Sequence, residues 1–158
     1  MIWNIKGYNV LVDDEDYEKF RKYSYHIQYN SALEGRYYFI RVIRISGIYK
    51  ESRALHRDVM GCTKGDGVVI DHIDGNTLNC CKSNLRKCST AENSQNRRIN
   101  HNNTSNVKGV YLHEGKWRVR IQANKIRYFI GDFYTLEEAK VAYEDASKKY
   151  HGKFGRCV

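Results

Sequence analysis

The stretch VVIDHIDGNTLNCCKSNLRKCSTAEN (68–93) sets Asp71 beside His72 at the end of an apolar run, then adds amides at Asn84 and Asn93. A carboxylate, an imidazole and amide oxygens in one short segment suit phosphodiester hydrolysis. That reaction needs a base to activate water, a cation to offset charge on the phosphate and leaving oxygen, and ligands that leave room for substrate. Hard cations such as Mg²⁺ take oxygen ligands and keep some water. Adjacent residues at a strand end point to opposite sides, so one of the pair can bind metal while the other faces the water. An imidazole whose ordinary pKa is near 6.5 is available in its neutral form at pH 7. Asn93 can supply an amide oxygen as a second ligand, and Asn84 can fix the intervening loop or orient His72 through its backbone. Singly, each residue also fits a turn or a solvated surface. The order strand, loop, strand, helix is what points to chemistry.

The elements that must position these groups are short. GVVIDH reads as a strand and IDGNTLNCCKSN (73–84) as a loop with Asp74-Gly75 as its turn signal. LRKC reads as a second strand. Ser89-Thr90-Ala91-Glu92 fits a capping box that opens a short helix to about Arg97. Upstream, YNVLV predicts a strand and DDEDYEKFRKY a helix, with acids leading and bases trailing as the helix dipole prefers. RYYFIRVIRI (36–45) predicts another strand. SRALHRDVMG (52–61) fits either a strand end or a short helix.

LHRDVMG followed by IDHIDGNTLNCCKSNLRKCSTAENSQNRR resembles the HNH endonuclease family, in its phage and intron-encoded homing subgroup. The likeness spans roughly 8–98 and is most specific around 55–97. It implies a ββα-metal core at about 67–97, with Asp71 as metal ligand, His72 as general base, Asn84 as the middle motif residue and Asn93 as second metal ligand. Asn93 stands where many relatives have a final histidine. His56 is also typical of the group and is read as structural or as a phosphate contact. The resemblance implies one divalent ion, Mg²⁺ or Mn²⁺; zinc is not expected. Cys62, Cys80 or Cys81, Cys88 and a histidine lack the usual zinc spacing, and five cysteines without a CxxC pair do not make a disulfide framework. Arg86 or Arg57 is a candidate to steady the transition state.

The last third carries the clearest pattern. VKGVYL, KWRVRIQA and IRYFIGDF predict three strands, the latter two joined by a link short enough for a hairpin. Thr135 to Glu138 is a second capping box. Leu136, Ala139, Tyr143, Ala146 and Tyr150 then recur at helical spacing. On the middle strand Trp117, Val119 and Ile121 share one face, with Arg118, Arg120 and Gln122 on the other. From 97 to 131 eight basic residues, including Arg97, Arg98, Lys116 and Arg127, face one acid, Glu114. Such a face is either merely solvated, as antiparallel sheets often are, or lies in the major groove, where arginine meets guanine edges or phosphates. This segment resembles the ethylene-response-factor type of DNA-binding domain, which implies Arg118, Arg120 and Arg127 as leading contacts and Gln122 as a further one.

Composition agrees with a polyanionic partner. The chain has 158 residues, 27 Lys and Arg against 18 Asp and Glu, a net charge of +9 and a pI of about 9.3. Residues 104–158 hold +5 of it. No apolar run is long enough to cross a membrane, and the start lacks a signal-peptide pattern. The expected class is α+β: an HNH nuclease domain at 1–98, a linker at 99–106 and a three-stranded-sheet-plus-helix DNA-binding domain at 107–158. The expected function is a metal-dependent homing endonuclease acting on double-stranded DNA, without membrane or small-molecule substrate. It is cytoplasmic in a bacterial host if phage-encoded, with monomer or dimer undecided. The rivals are an inactive DNA-binding regulator and an RNA-binding module using the 13 tyrosines.

Overall fold

Two-residue turns with both residues at positive φ close four hairpins: Lys6-Gly7, Ser46-Gly47, Glu114-Gly115 and Asn124-Lys125. Turns of that hand match the twist of the strands they join. They organise a computed structural model that describes residues 1–30, 36–96, 99 and 102–155. The chain divides into two units, Met1–Ser89 and Thr90–Val158.

Among the described residues the first unit holds three small antiparallel sheets. β1 (Ile2–Ile5) pairs with β2 (Tyr8–Leu11). Helix α1 (Asp14–Phe20) follows, shorter than the predicted 13–23. β3 (His26–Tyr29), β4 (Tyr37–Ile45) and β5 (Ile48–Ala54) form the second sheet. The ambiguous SRALHRDVMG resolves as both options: β5 ends at Ala54 and helix α2 (Leu55–Val59) begins at once. β6 (Val69–His72) and β7 (Leu85–Cys88) form the third pair. One core, with Val10, Phe39, Leu55, Ile70 and Leu85 among its buried members, draws on all of these elements except β5.

Polar ties aim this frame at the 73–84 segment. The Leu11 N–H donates to Leu78 O and the Cys80 N–H donates to Leu11 O, both at 2.8 Å. The Lys82 N–H donates to Asp13 Oδ2 at 2.8 Å. The N-terminal hairpin therefore braces the loop between β6 and β7. On α2 the buried Asp58 accepts from Arg41 at 2.6 and 2.7 Å and from the Tyr25 hydroxyl at 2.7 Å. Its hydrogen bonds compensate a charge that would be costly to bury alone.

The second unit begins with helix α3 (Thr90–Gln95). β8 (Val110–His113), β9 (Lys116–Ala123) and β10 (Ile126–Phe133) form an antiparallel sheet in the order β10-β9-β8. Helix α4 (Leu136–His151) packs on it through the predicted stripe. Its capping box is formed: Thr135 Oγ1 accepts from the Glu138 N–H, and Glu138 Oε2 accepts from the Thr135 N–H, each at 3.2 Å. Trp117, Val119, Ile121, Tyr128 and Ile130 face this core.

Gly109 sits at φ +64°, and an added Cβ would run into Arg120 O and lie 2.6 Å from the Tyr143 ring. Gly109→Ala should destabilise the second unit by about 2 kcal/mol or more. Thermal unfolding of the variant checks this.

Candidate active site and nucleic-acid face

β6 ends on Asp71 and His72, and both are buried. In the β6–β7 register Asp71 stands opposite Arg86 and His72 opposite Leu85. Directly opposed residues share a face, so Arg86 meets Asp71. Its Nε and Nη2 donate to Asp71 Oδ2 at 2.8 and 2.6 Å. Both side chains are largely covered, at 13% and 6% exposure, so the attraction is poorly screened by water. Of the two candidate arginines, Arg86 is thus the one that meets Asp71. Arg57, the other candidate, donates to Val68 O, Thr63 O and Asp66 Oδ1 at 2.6–2.7 Å and ties down the turn ahead of β6.

His72 follows Asp71 along the strand and so points to the other side. Its ring lies 5.2 Å from the His56 ring, edge to face, and His56 lies 5.5 Å from Tyr38. His56 therefore packs against the proposed base. Burial lowers the His72 pKa to about 4, although Asp74 and Asp71 pull it upward. Burial, with help from His72 and Arg57, lowers that of His56 to about 3. Both imidazoles are neutral at pH 7, the form a general base requires.

These depressed values tie stability to pH. An unfolded imidazole protonates near pH 6.5. Between that value and about 4 the unfolded chain binds more protons than the folded one. The contribution is complete above pH 6.5 and is lost as pH falls toward 4. Taking the metal-free protein from pH 7.5 to pH 5 should cost roughly 2 kcal/mol for each imidazole. Urea midpoints at the two pH values, in wild type and His56→Leu, check this. The variant should show about half the loss.

The loop after His72 is held by its own amides. Asn84 Oδ1 accepts from the Asp74 N–H at 3.1 Å, and Asn84 Nδ2 donates to Asp74 Oδ1 and Asn79 O, both at 2.9 Å. The Asn84 carbonyl accepts from the Ile73 N–H at 2.9 Å. Asn84 thus fixes the backbone next to His72. Asp74 also accepts from the Asn76 N–H at 2.7 Å and from Asn79 Nδ2 at 2.9 Å. Burial pushes the Asp74 carboxyl up, but hydrogen bonds from Asn76, Asn79 and Asn84 outweigh it and leave its pKa below the usual value. Sequence reasoning missed Asp74 and Asn79 as the clamp's other half. The available signal was Asx residues at turn spacing.

Asn93 stands on α3, in the second unit. Among the described residues no group of three or more His, Cys, Asp or Glu side chains is placed to hold a metal ion. The Asp71 carboxylate is a hard oxygen donor of the kind Mg²⁺ or Mn²⁺ takes, ions that keep water and accept phosphate oxygens as well.

On the second unit's sheet, Arg118 differs from the expectation of an available arginine. It stands opposite Asp132, and its Nε and Nη2 donate to that carboxylate at 2.8 and 2.7 Å. The register shifts between Phe129 and Gly131. That irregularity changes the alternation, so Asp132 meets Arg118 while Phe133 joins the core. Arg120 lies over the Tyr111 ring at 5.8 Å, and Lys116 over Tyr134 at 4.6 Å. Gln122 and Arg127 are exposed and directly opposed. Arg97 and Arg98 lie outside the described residues.

Residues 53–95 match the family described as HNH endonuclease. Protein 3.8 of Escherichia phage T7 is 35% identical over 92 residues, covering 57% of this chain and 75% of that protein. An uncharacterized HNH endonuclease, L560, of Acanthamoeba polyphaga mimivirus is 33% identical over 88 residues, covering 55% of this chain and 45% of that protein. No solved structure matches the chain. The chain belongs to the HNH endonuclease family. Membership implies a nuclease, a phosphodiester hydrolase with DNA as substrate, and members generally use a divalent metal. No helix among the described residues is long and apolar enough to cross a membrane.

Proposed function

We propose that this chain is a homing-type endonuclease that hydrolyses a phosphodiester in duplex DNA to a 5′-phosphate and a 3′-hydroxyl. The observation that carries this is the end of β6, where a buried neutral imidazole follows a buried carboxylate anchored by Arg86. His72 takes the proton from the attacking water. Asn84 keeps the loop and the backbone at His72 in place. Asp71 and Asn93 hold one divalent ion, Mg²⁺ or Mn²⁺. Bound there, the ion would supply charge stabilisation at the phosphate and leaving oxygen.

We further propose that the nuclease domain runs through α3 to residue 98, that 99–106 link it onward, and that 107–158 bind DNA in the manner of the ethylene-response-factor domain. The sheet packed on one helix supports that last assignment. Arg120, Gln122 and Arg127 lead the contacts. Lys116, Arg97 and Arg98 add to them, and Arg118 contributes within the limits its pair with Asp132 sets. A single such site in a monomer nicks one strand, and a dimer would cut both. The similarity to a phage protein supports action in the cytoplasm of a bacterial host.

The product chemistry is open to a direct test. Cut DNA should be resealed by a DNA ligase without prior kinase treatment. Ends that require a kinase would contradict the proposed bond cleavage.

A further inference from the structure

A pocket of about 700 Å³ opens within the second unit, where the β9–β10 turn meets α4 and the last turn of α3. Its lining includes Lys108, Arg120, Lys125, Arg127, Tyr111 and His151 and, among the described residues, no carboxylate. The Asn124-Lys125 turn, with both residues at positive φ, fixes where Lys125 stands. Lys108 Nζ donates to Gln95 O at 2.9 Å and closes one side. His151 Nε2 lies 2.9 Å from Gln122 O and joins the end of α4 to β9. Arg118 and Asp132 neutralise one another on the same sheet. Arg120, Lys125 and Arg127 have no such acid partner among the described residues.

Four cations gathered in a concave site, Lys108 with Arg120, Lys125 and Arg127, repel one another, and an anion that shares the site relieves that repulsion. A phosphate diester offers oxygens to several donors at once, and arginine forks match that geometry. We propose that this pocket is a backbone-phosphate seat for duplex DNA, in which Arg120, Lys125 and Arg127 take phosphate oxygens. The inference rests on the DNA-binding reading of this unit and divides its contacts. Arg120, Lys125 and Arg127 position the duplex whatever its sequence. Any base reading falls to groups other than these three.

The test is the salt dependence of binding, measured by fluorescence anisotropy with chelator present to prevent cleavage. Wild type and Lys125→Gln/Arg127→Gln are titrated with several unrelated DNA duplexes. Each lost phosphate contact should lower the slope of log K against log salt by about 0.9. The double variant should therefore lose about 2 from the slope, with the same loss of affinity on every sequence. Thermal unfolding of the variant should match wild type. An unchanged slope, or a loss confined to one sequence, overturns the proposal while leaving the DNA-binding reading standing. Absence of wild-type binding to any duplex overturns both. Competition by inorganic phosphate at concentrations comparable to the duplex would assign the pocket to a free anion instead. Preference for duplex RNA would likewise overturn it.

Discussion

Replacing His72 with alanine should lower DNA cleavage by about 10²–10⁴-fold while leaving DNA affinity unchanged. The imidazole is buried, and burial keeps its pKa near 4, so at neutral pH it is ready to accept a proton. Neither Asp71 nor Asp74 can replace it. Asp71 is held by Arg86, and Asp74 is committed to the loop clamp. Affinity should persist because the proposed DNA contacts lie in the second unit. His72→Gln keeps a polar side chain of similar size beside His56 and should fail in cleavage to the same degree. A variant that is folded by circular dichroism and cleaves near the wild-type rate would remove His72 from the role.

Asp71→Ala should do two separable things. It removes the only carboxylate assigned to the ion, and with it several kcal/mol of transition-state charge stabilisation. Cleavage should then fall by roughly 10³-fold or more, since each ~1.4 kcal/mol is a factor of ten. It also leaves the largely covered Arg86 without its carboxylate, which should destabilise the first unit by roughly 3–5 kcal/mol. Asp71→Ala/Arg86→Met separates the effects. Removing both partners of a covered ion pair is far less costly than removing one, so the double variant should regain stability without regaining cleavage. Recovered cleavage in the double variant would mean that Asp71 serves the fold alone. Denaturant midpoints and cleavage rates on the same preparations decide it.

Much of this architecture was legible in the order of residue types. Thr135 and Glu138 announced α4, the apolar stripe gave its buried face, and the alternation along KWRVRIQA gave the face of β9. Asp71 and His72 could be placed at a strand end because an apolar run precedes them and a turn signal follows. Other parts depend on information that local pattern does not carry. β1, β3 and β5 are short or largely exposed and lack clear alternation. β5 runs directly into α2 without a spacer, which is why SRALHRDVMG fitted both readings. The pairing of Asp71 with Arg86 depends on strand register, and a slip of one residue would have brought a different side chain opposite. The irregularity after Phe129 sets Asp132 against Arg118, so a count of charges ending at residue 131 overstated how bare the arginine face is. Arg57 carried no sequence signal that its donors are committed to the 63–68 turn.

In the proposed mechanism His72 activates water at a site that needs a divalent ion. The most direct test incubates supercoiled plasmid carrying a selected binding site with wild type and with His72→Ala, each in Mg²⁺ and in chelator. Relaxed or linear product with wild type and Mg²⁺ alone is the expected result, and the form of the product also reports whether one strand or both are cut. Product in chelator, or equal product from His72→Ala, would contradict that mechanism. Binding without any product from wild type in Mg²⁺ or Mn²⁺ would make the chain a DNA-binding regulator rather than a nuclease.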